Sequence, residues 1–405
     1  MTSAKTRSFL GLLLLSTSVL FFAGCGRASG GSTTTPAPDW TWQPPTPAAT
    51  ATSVSFNPLQ RPISLTPISK DETAQLQELP NGLYLGDVHT GDILRIDVQN
   101  AGHWNNAVWL SPDRLLAGTA SGALVLDLAK GVATTLYPDT TESYSIASPD
   151  GALAARQEGN RFSVWSTTEV RELLQLEGSF GAWSPQSDRF WYQSGDGYYV
   201  AAVDQPDGGV RRGKGGAWTA DGTALVYADD TGIRSTDVSD GTDRLLYAWP
   251  QGQQVRRDAL TLSFDGKYAL IEAGHTWLVV SLESGKATEI TATEEVNWSP
   301  VEDVLIVDID WCKAEQKLAL VDPDGTIREV LPVQASTAHW SPDGTMIAFN
   351  GAGVYRLDGS GQTDIPLFLE TRNWSPDSAR IAYIPSLPEH QCADIAGNTQ
   401  ILPFP

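Results

Sequence analysis

Three cysteines, five histidines and a scatter of aspartates are the residues from which this chain of 405 residues could assemble a reactive centre. An activated serine needs a sharp strand-to-helix turn that lifts its hydroxyl, and no Gly-x-Ser-x-Gly elbow occurs. A zinc-activated water needs two histidines one helical turn apart, and no His-Glu-x-x-His is present. Gly208-Gly-Val-Arg-Arg-Gly213-Lys214-Gly215 is one residue short of a phosphate-cradling loop. It lacks the Ser or Thr that would hold magnesium and runs into strand-like sequence at Trp218, so it reads as a glycine-rich connection. Asp308, Asp310, Asp322 and Asp324 supply the oxygen ligands that calcium prefers, but their spacing matches no EF-hand loop. Asp322-Pro-Asp-Gly325 is better explained as a hairpin turn. These residues lead to the expectation of no cofactor, no metal site and no enzymatic activity.

What must position any functional side chain is a repeat. One short phrase recurs as Trp109-Leu-Ser-Pro-Asp113, Ala147-Ser-Pro-Asp-Gly151, Trp183-Ser-Pro185 and Trp218-Thr-Ala-Asp-Gly222. It continues as Leu262-Ser-Phe-Asp-Gly266, Trp298-Ser-Pro300, Trp340-Ser-Pro-Asp-Gly344 and Trp374-Ser-Pro-Asp377. Aligned on the Ser or Thr, the spacings are 37, 36, 35, 44, 36, 42 and 34 residues, the signature of a stacked architecture. Ser first, Pro second and Gly fourth are the preferences of a type I turn. Each turn leads into short runs of alternating apolar residues, such as 346–349 and 380–383, with further runs at 122–127 and 132–136. Period-two alternation broken by Gly, Asp and Asn gives three to four short strands per repeat. No helical stripe follows residue 80; residues 71–79 could form one short helix.

Four-stranded units repeated radially are the blades of a β-propeller. The expected fold is therefore all-β, with eight blades, or seven if the phrase at Ala147 or Leu262 does not open a blade. The motif tryptophan is expected to pack between blades. Residues 82–99 contain two strand-like runs ahead of the first phrase, while little strand material follows Trp374. The N-terminal strands should then complete the last blade and remove a free edge.

The residues just before each motif aromatic should lie near the central channel. They are Val108, Ile146, Ala182 and Ala217 in the first four repeats, and Thr261, Asn297, His339 and Asn373 in the last four. Two readings stand for the polar arc of Asn297, His339 and Asn373. Its members either satisfy backbone groups between blades or contact a peptide or small ligand at the channel mouth.

The N-terminus reads as an address. Lys5 and Arg7 precede an apolar stretch over 9–22, too short for a comfortable span but suited to a signal-peptide core. It ends in Phe22-Ala23-Gly24-Cys25, which resembles the lipobox of bacterial lipoproteins, with Phe22 where the family usually has Leu. The resemblance implies cleavage after residue 24 and lipidation of Cys25. Residues 25–66 form a Ser/Thr/Pro-rich tether that carries too little apolar surface to offset its ordering entropy. The propeller domain is expected over 67–405.

Cys312 and Cys392 are the thiols that remain. They follow their aligned serines by 13 and 17 residues, in repeats two apart. An oxidising compartment permits a disulfide if residues 385–391 supply the reach; the alternative is two free thiols.

The Trp-Ser-Pro-Asp-Gly phrase resembles that of TolB-like, WD-repeat-related propellers of bacterial envelopes, over about residues 80–405. That resemblance implies a partner-binding protein. With 27 basic against 48 acidic residues, the formal charge of −21 excludes broad nucleic-acid binding. The resulting expectation is a lipid-anchored, extracytoplasmic scaffold or protein-binding module of the cell envelope, at the cell surface or in the periplasm. The alternative is a small-molecule or glycan capture domain using Trp104, Trp191 and Trp311, and third comes a propeller hydrolase.

Overall fold

The computed structural model describes residues 59–69, 82–138, 144–251, 253, 255–256, 260–274, 276–291, 296–309, 317–333, 335, 338–349, 353–365, 374–384, 392–393 and 399–400. Side chains are described for all of these but 144, 206–208, 392–393 and 399–400. Every element among the described residues is a strand. Three precede the first phrase: β1 (Gln60–Ile68), β2 (Leu83–Asp87) and β3 (Ile93–Val98). The next four, β4 (Trp104–Ser111), β5 (Arg114–Thr119), β6 (Gly122–Asp127) and β7 (Val132–Pro138), form an antiparallel meander. We call it unit I.

The same meander follows six more times, as units II (144–177), III (179–212), IV (217–248), V (261–290), VI (296–330) and VII (338–363). In every one the phrase connects the first strand to the second. Unit VIII is composite. Trp374 bridges Ile381, the strand Arg380–Tyr383 pairs with β2, and β2 pairs with β3. The N-terminal strands thus complete the unit opened by the last phrase, as expected from the sequence.

The core is divided among the seams. Among the described residues eight apolar clusters occur, and each draws residues from two successive units. Leu110, Leu116 and Leu136 of unit I meet Ala154 and Trp165 of unit II. Phe162 and Val164 of unit II meet Phe180, Trp183 and Phe190 of unit III. Similar clusters join III to IV, IV to V, V to VI and VI to VII. Met346, Val354 and Ile365 of unit VII pack on Tyr84, Ile381 and Tyr383 of unit VIII. Leu83, Leu85 and Ile96 of unit VIII pack on Trp109, Leu115 and Leu124 of unit I, which closes the circuit. Sheets buried on both faces by their neighbours explain the apolar runs of the middle strands, such as Leu305–Ile309, whose first four residues are all buried. The fourth strand of unit VI, Ile327–Val330, is exposed throughout, whereas that of unit I, Val132–Pro138, is largely buried. The fold is the β-propeller expected from the repeat.

One strand falls where the sequence suggested tether. Strand β1 begins at Gln60 and pairs over Ile63–Ile68 with β3 and over Gln60–Pro62 with β7. It spans the outer edges of units VIII and I. Pro62 and Pro67 made this stretch look like linker. Each half of β1 is paired on one side only, so a missing N–H on the open side costs nothing. The helix suggested over 71–79 and the tether before residue 59 lie outside the described residues.

Candidate functional site

The phrase has one mechanical design, repeated with small changes. In unit II, Gly151 N–H donates to Ser148 C=O at 2.8 Å, closing the turn. Ser148 Oγ accepts from Leu153 N–H at 3.0 Å and donates to Asp150 Oδ1 at 2.6 Å. Asp150 Oδ1 also accepts from Ala152 N–H at 3.0 Å. The Ser therefore ties the turn to the second strand, and the Asp caps the turn. The same Ser or Thr bond recurs from Arg189, Ala224, Tyr268, Met346 and Arg380 to Ser184, Thr219, Ser263, Ser341 and Ser375. The fourth position has φ near +68° at Gly151 and +69° at Gly344, a region that favours glycine. At Gly151 a Cβ would also stand 1.9 Å from Leu110 C=O of the preceding turn. The turns are thus packed on one another at one end of the molecule.

This network sets the charge state of the turn carboxyls. For Asp150 and Asp343, burial works against ionisation, but hydroxyl and backbone donors outweigh it and hold both below the usual carboxylate range. For Asp221 the Thr219 hydroxyl is the main cause of a shift in the same direction. These aspartates are ionised and engaged in the turn itself.

The motif tryptophans stitch seams. Trp183 Nε1–H donates to Ile146 C=O at 3.0 Å, and Trp218 Nε1–H to Ala182 C=O at 3.2 Å. Trp340 Nε1–H reaches Asn297 C=O at 3.4 Å. Each bond runs to the residue just before the motif aromatic of the preceding unit. Trp298 Nε1 and Trp374 Nε1 are buried with no hydrogen-bond partner, so their seams lack this stitch.

The predicted arc is placed as follows. Asn297 is half-buried, and its Nδ2 donates to Ala338 C=O of unit VII at 3.2 Å. One amide face is thereby spent on an inter-unit backbone group. His339 is half-buried in the adjoining first strand Ala338–Trp340. Asn373 lies outside the described residues, as do Cys25 and Cys312; Cys392 is in a short strand, Cys392–Ala393, paired with Thr399–Gln400. Of the aromatics suggested for ligand capture, Trp104 is buried in the cluster between units VIII and I. Trp191 is half-buried and donates to Gly216 C=O at 2.9 Å, which makes it a seam residue; Trp311 lies outside the described residues.

Three of the carboxylates weighed for calcium divide between two places, and Asp310 lies outside the described residues. Asp322 and Asp324 sit in the turn expected there, where Gly325 N–H donates to Asp322 C=O at 2.9 Å. Asp308 is buried opposite Leu318, four residues back along the strand from Asp322, or roughly 13 Å at the usual strand rise. The glycine-rich connection expected over 208–215 is instead strand as far as Arg212, since Gln205–Arg212 pairs with Gly197–Ala202 as the fourth strand of unit III. Arg212 is buried and directs its guanidinium at Val238 C=O, 3.1 Å from Nε. Sequence reasoning missed this bracing role because its partner lies in the next unit.

No protein-family model and no curated protein matches the chain. Among solved structures it is similar to the β-propeller domain of Cps50 (Swd1) from Myceliophteria thermophila. There the identity is 13%, over 64% of this chain and 95% of that one, with a TM-score of 0.42. Dihydro-heme d1 dehydrogenase NirN in complex with DHE is 13% identical over 70% of this chain and 72% of that one, with a TM-score of 0.49. An oligogalacturonate lyase in complex with manganese is 14% identical over 82% and 98%, with a TM-score of 0.44. The last two correct the expectation that the chain is not an enzyme, because chains of this fold include enzymes. The physical reason is that a propeller can assemble a site from single residues of several units, and a search for contiguous motifs does not see such a site.

Proposed function

We propose that this chain is a lipid-anchored, extracytoplasmic β-propeller of eight blades that binds a protein partner as a scaffold of the bacterial cell envelope, in the manner of TolB-like propellers. Residues 1–24 are the signal peptide, Cys25 carries the lipid, and residues 26–59 lead to the rim strand β1. The observation that carries the binding half of this reading is the ring of phrase turns. Their Ser and Trp side chains are committed to the fold, while their second and third positions stay exposed in every unit from I to VIII. Such a surface offers many contacts on a rigid frame, which suits a macromolecule. The anchoring half is supported by Ala23-Gly24-Cys25 following an apolar core of signal-peptide length.

Asn297, His339 and Asn373 are the proposed arc of contact, beside the same turns. Neutral donors and acceptors orient a peptide without an unpaired buried charge. The test is the triple substitution to Ala, read by thermal melting and by retention of the envelope partner. Lost retention with an unchanged melt supports the arc; a large fall in melting temperature returns these residues to the framework.

A further inference from the structure

The repeat supplies its own control, because an exposed position that departs from seven equivalents is not explained by the turn. The second position of the phrase is Pro112, Pro149, Pro185, Pro300, Pro342 and Pro376, with Ala220 in unit IV. In unit V it is Phe264, 53% exposed. The third position is Asp in six units and Gln186 in another, but Val301 in unit VI, 41% exposed. The two apolar departures fall on successive turns, Phe264 on that of unit V and Val301 on that of unit VI, where the Val301 side chain also lies against Gly344 of unit VII.

The seam between units V and VI departs in a third way. Between II and III, and between VII and VIII, the backbone N–H of the turn aspartate donates to a serine hydroxyl of the next unit. These bonds are Asp150 N–H to Ser187 Oγ and Asp343 N–H to Ser378 Oγ, both at 3.1 Å. Between V and VI the acceptor is a carboxyl, with Asp265 N–H to Asp303 Oδ1 at 3.3 Å. The nearby cations are taken. Lys267 pairs with Asp265, and Arg328 pairs with Glu302 at 2.8 Å and with Asp322 at 2.6 Å. Among the described residues Asp303 has no ion pair. Burial, and then the hydrogen bond with the Asp265 carboxyl, push the Asp303 carboxyl above its usual range even with Lys267 paired to Asp265.

We propose that the phrase end of the seam between units V and VI docks a basic protein segment. An Arg or Lys side chain would enter beside Asp303 and Asp265, and an adjacent apolar side chain would cover Phe264 and Val301. The occupant follows from charge complementarity: four carboxylates face two cations here, and the whole chain is at −21. An exposed phenyl ring beside the acids favours a guanidinium, which can stack on its face. This proposal deepens the partner-binding reading and rests on it, but it uses residues other than the arc.

The test uses the full chain in detergent and a fluorescein-labelled, end-capped hexapeptide of alternating Arg and Leu, with a Glu/Leu peptide as the control. Anisotropy should report binding of the Arg peptide alone, weakened at about 0.5 M salt, where screening shortens to a few ångströms. Phe264→Pro with Val301→Asp restores the residues of the other turns, so folding is spared. It should weaken binding at least about tenfold, as loss of interface anchors does. Asp303→Ser, which supplies the hydroxyl used in the other seams, should do the same with an unchanged melt. Asn297→Ala with His339→Ala should leave the peptide bound. No binding of the Arg peptide, equal binding of the Glu peptide, or full binding by the restored variants overturns the proposal. Loss of binding in the arc variant overturns it too, because the peptide would then be reading the arc. If the seam variants alone lose the peptide while the arc variant alone loses the envelope partner, both surfaces stand.

Discussion

Replacing Ser341 by Ala removes one oxygen atom and tests whether the phrase serine is the tie that the structure makes it. Ser341 is fully buried, and its Oγ accepts from Met346 N–H at 2.9 Å while donating to Asp343 Oδ1 at 2.6 Å. The substitution leaves a buried N–H without its acceptor, which costs about 1–3 kcal/mol, and removes a bond to a charged group. The backbone bond from Ser341 N–H to Met346 C=O remains, so the turn persists and the loss should be near 2 kcal/mol, ~2 being the middle of that range. With unfolding entropy of about 2 cal/mol/K per residue over the roughly 280 described residues, ~2 kcal/mol lowers Tm by about 3 °C in a cooperative transition. Asp343 loses a hydroxyl donor that helps hold it below the usual carboxylate range against burial, so its pKa should rise. Calorimetry gives the first quantity and a pH series of melts the second. A Tm within about 1 °C of wild type, with unaltered acid sensitivity, would refute the reasoning.

Three further outcomes follow from the same geometry. Trp218→Phe loses the indole bond to Ala182 C=O, whereas Trp374→Phe loses an N–H that has no partner; the first should cost about 1 kcal/mol more in urea unfolding. Asp150, Asp188, Asp221 and Asp343 have folded pKa values below the unfolded one, so their contribution is complete above about pH 4 and is lost as pH falls through the folded values. Melts from pH 7 to pH 2 should be level at first and then fall, and Thr219→Val should move the onset upward. Under the disulfide reading, alkylation of the mature protein without reductant leaves Cys312 and Cys392 unmodified, and intact mass detects the opposite.

The fold was legible because one phrase does the same job in every unit. Ser, Asp and Gly at fixed offsets specify a turn, and the tryptophan before them marks a seam, so the architecture could be read from local chemistry. What escaped the sequence were contacts between units. Strand β1 was invisible because its prolines suit an edge but look like linker. The carbonyl partners of Arg212 and Asn297 lie 26 and 41 residues away, beyond any local pattern. The departures at Phe264, Val301 and Asp303 were present in the aligned phrases all along. Their meaning needed the structure, which joins the turns across one seam and shows that the nearby cations are already paired.

The central claim is that an anchored propeller holds a protein partner at its phrase end. A photoactivatable residue in place of His339, in the full chain within its own membranes, tests it most directly. The account predicts one discrete protein adduct in the membrane fraction, which becomes soluble together with the chain when Cys25→Ser is added. An irradiated chain that stays unmodified, or that fractionates with membranes regardless of Cys25→Ser, would contradict it.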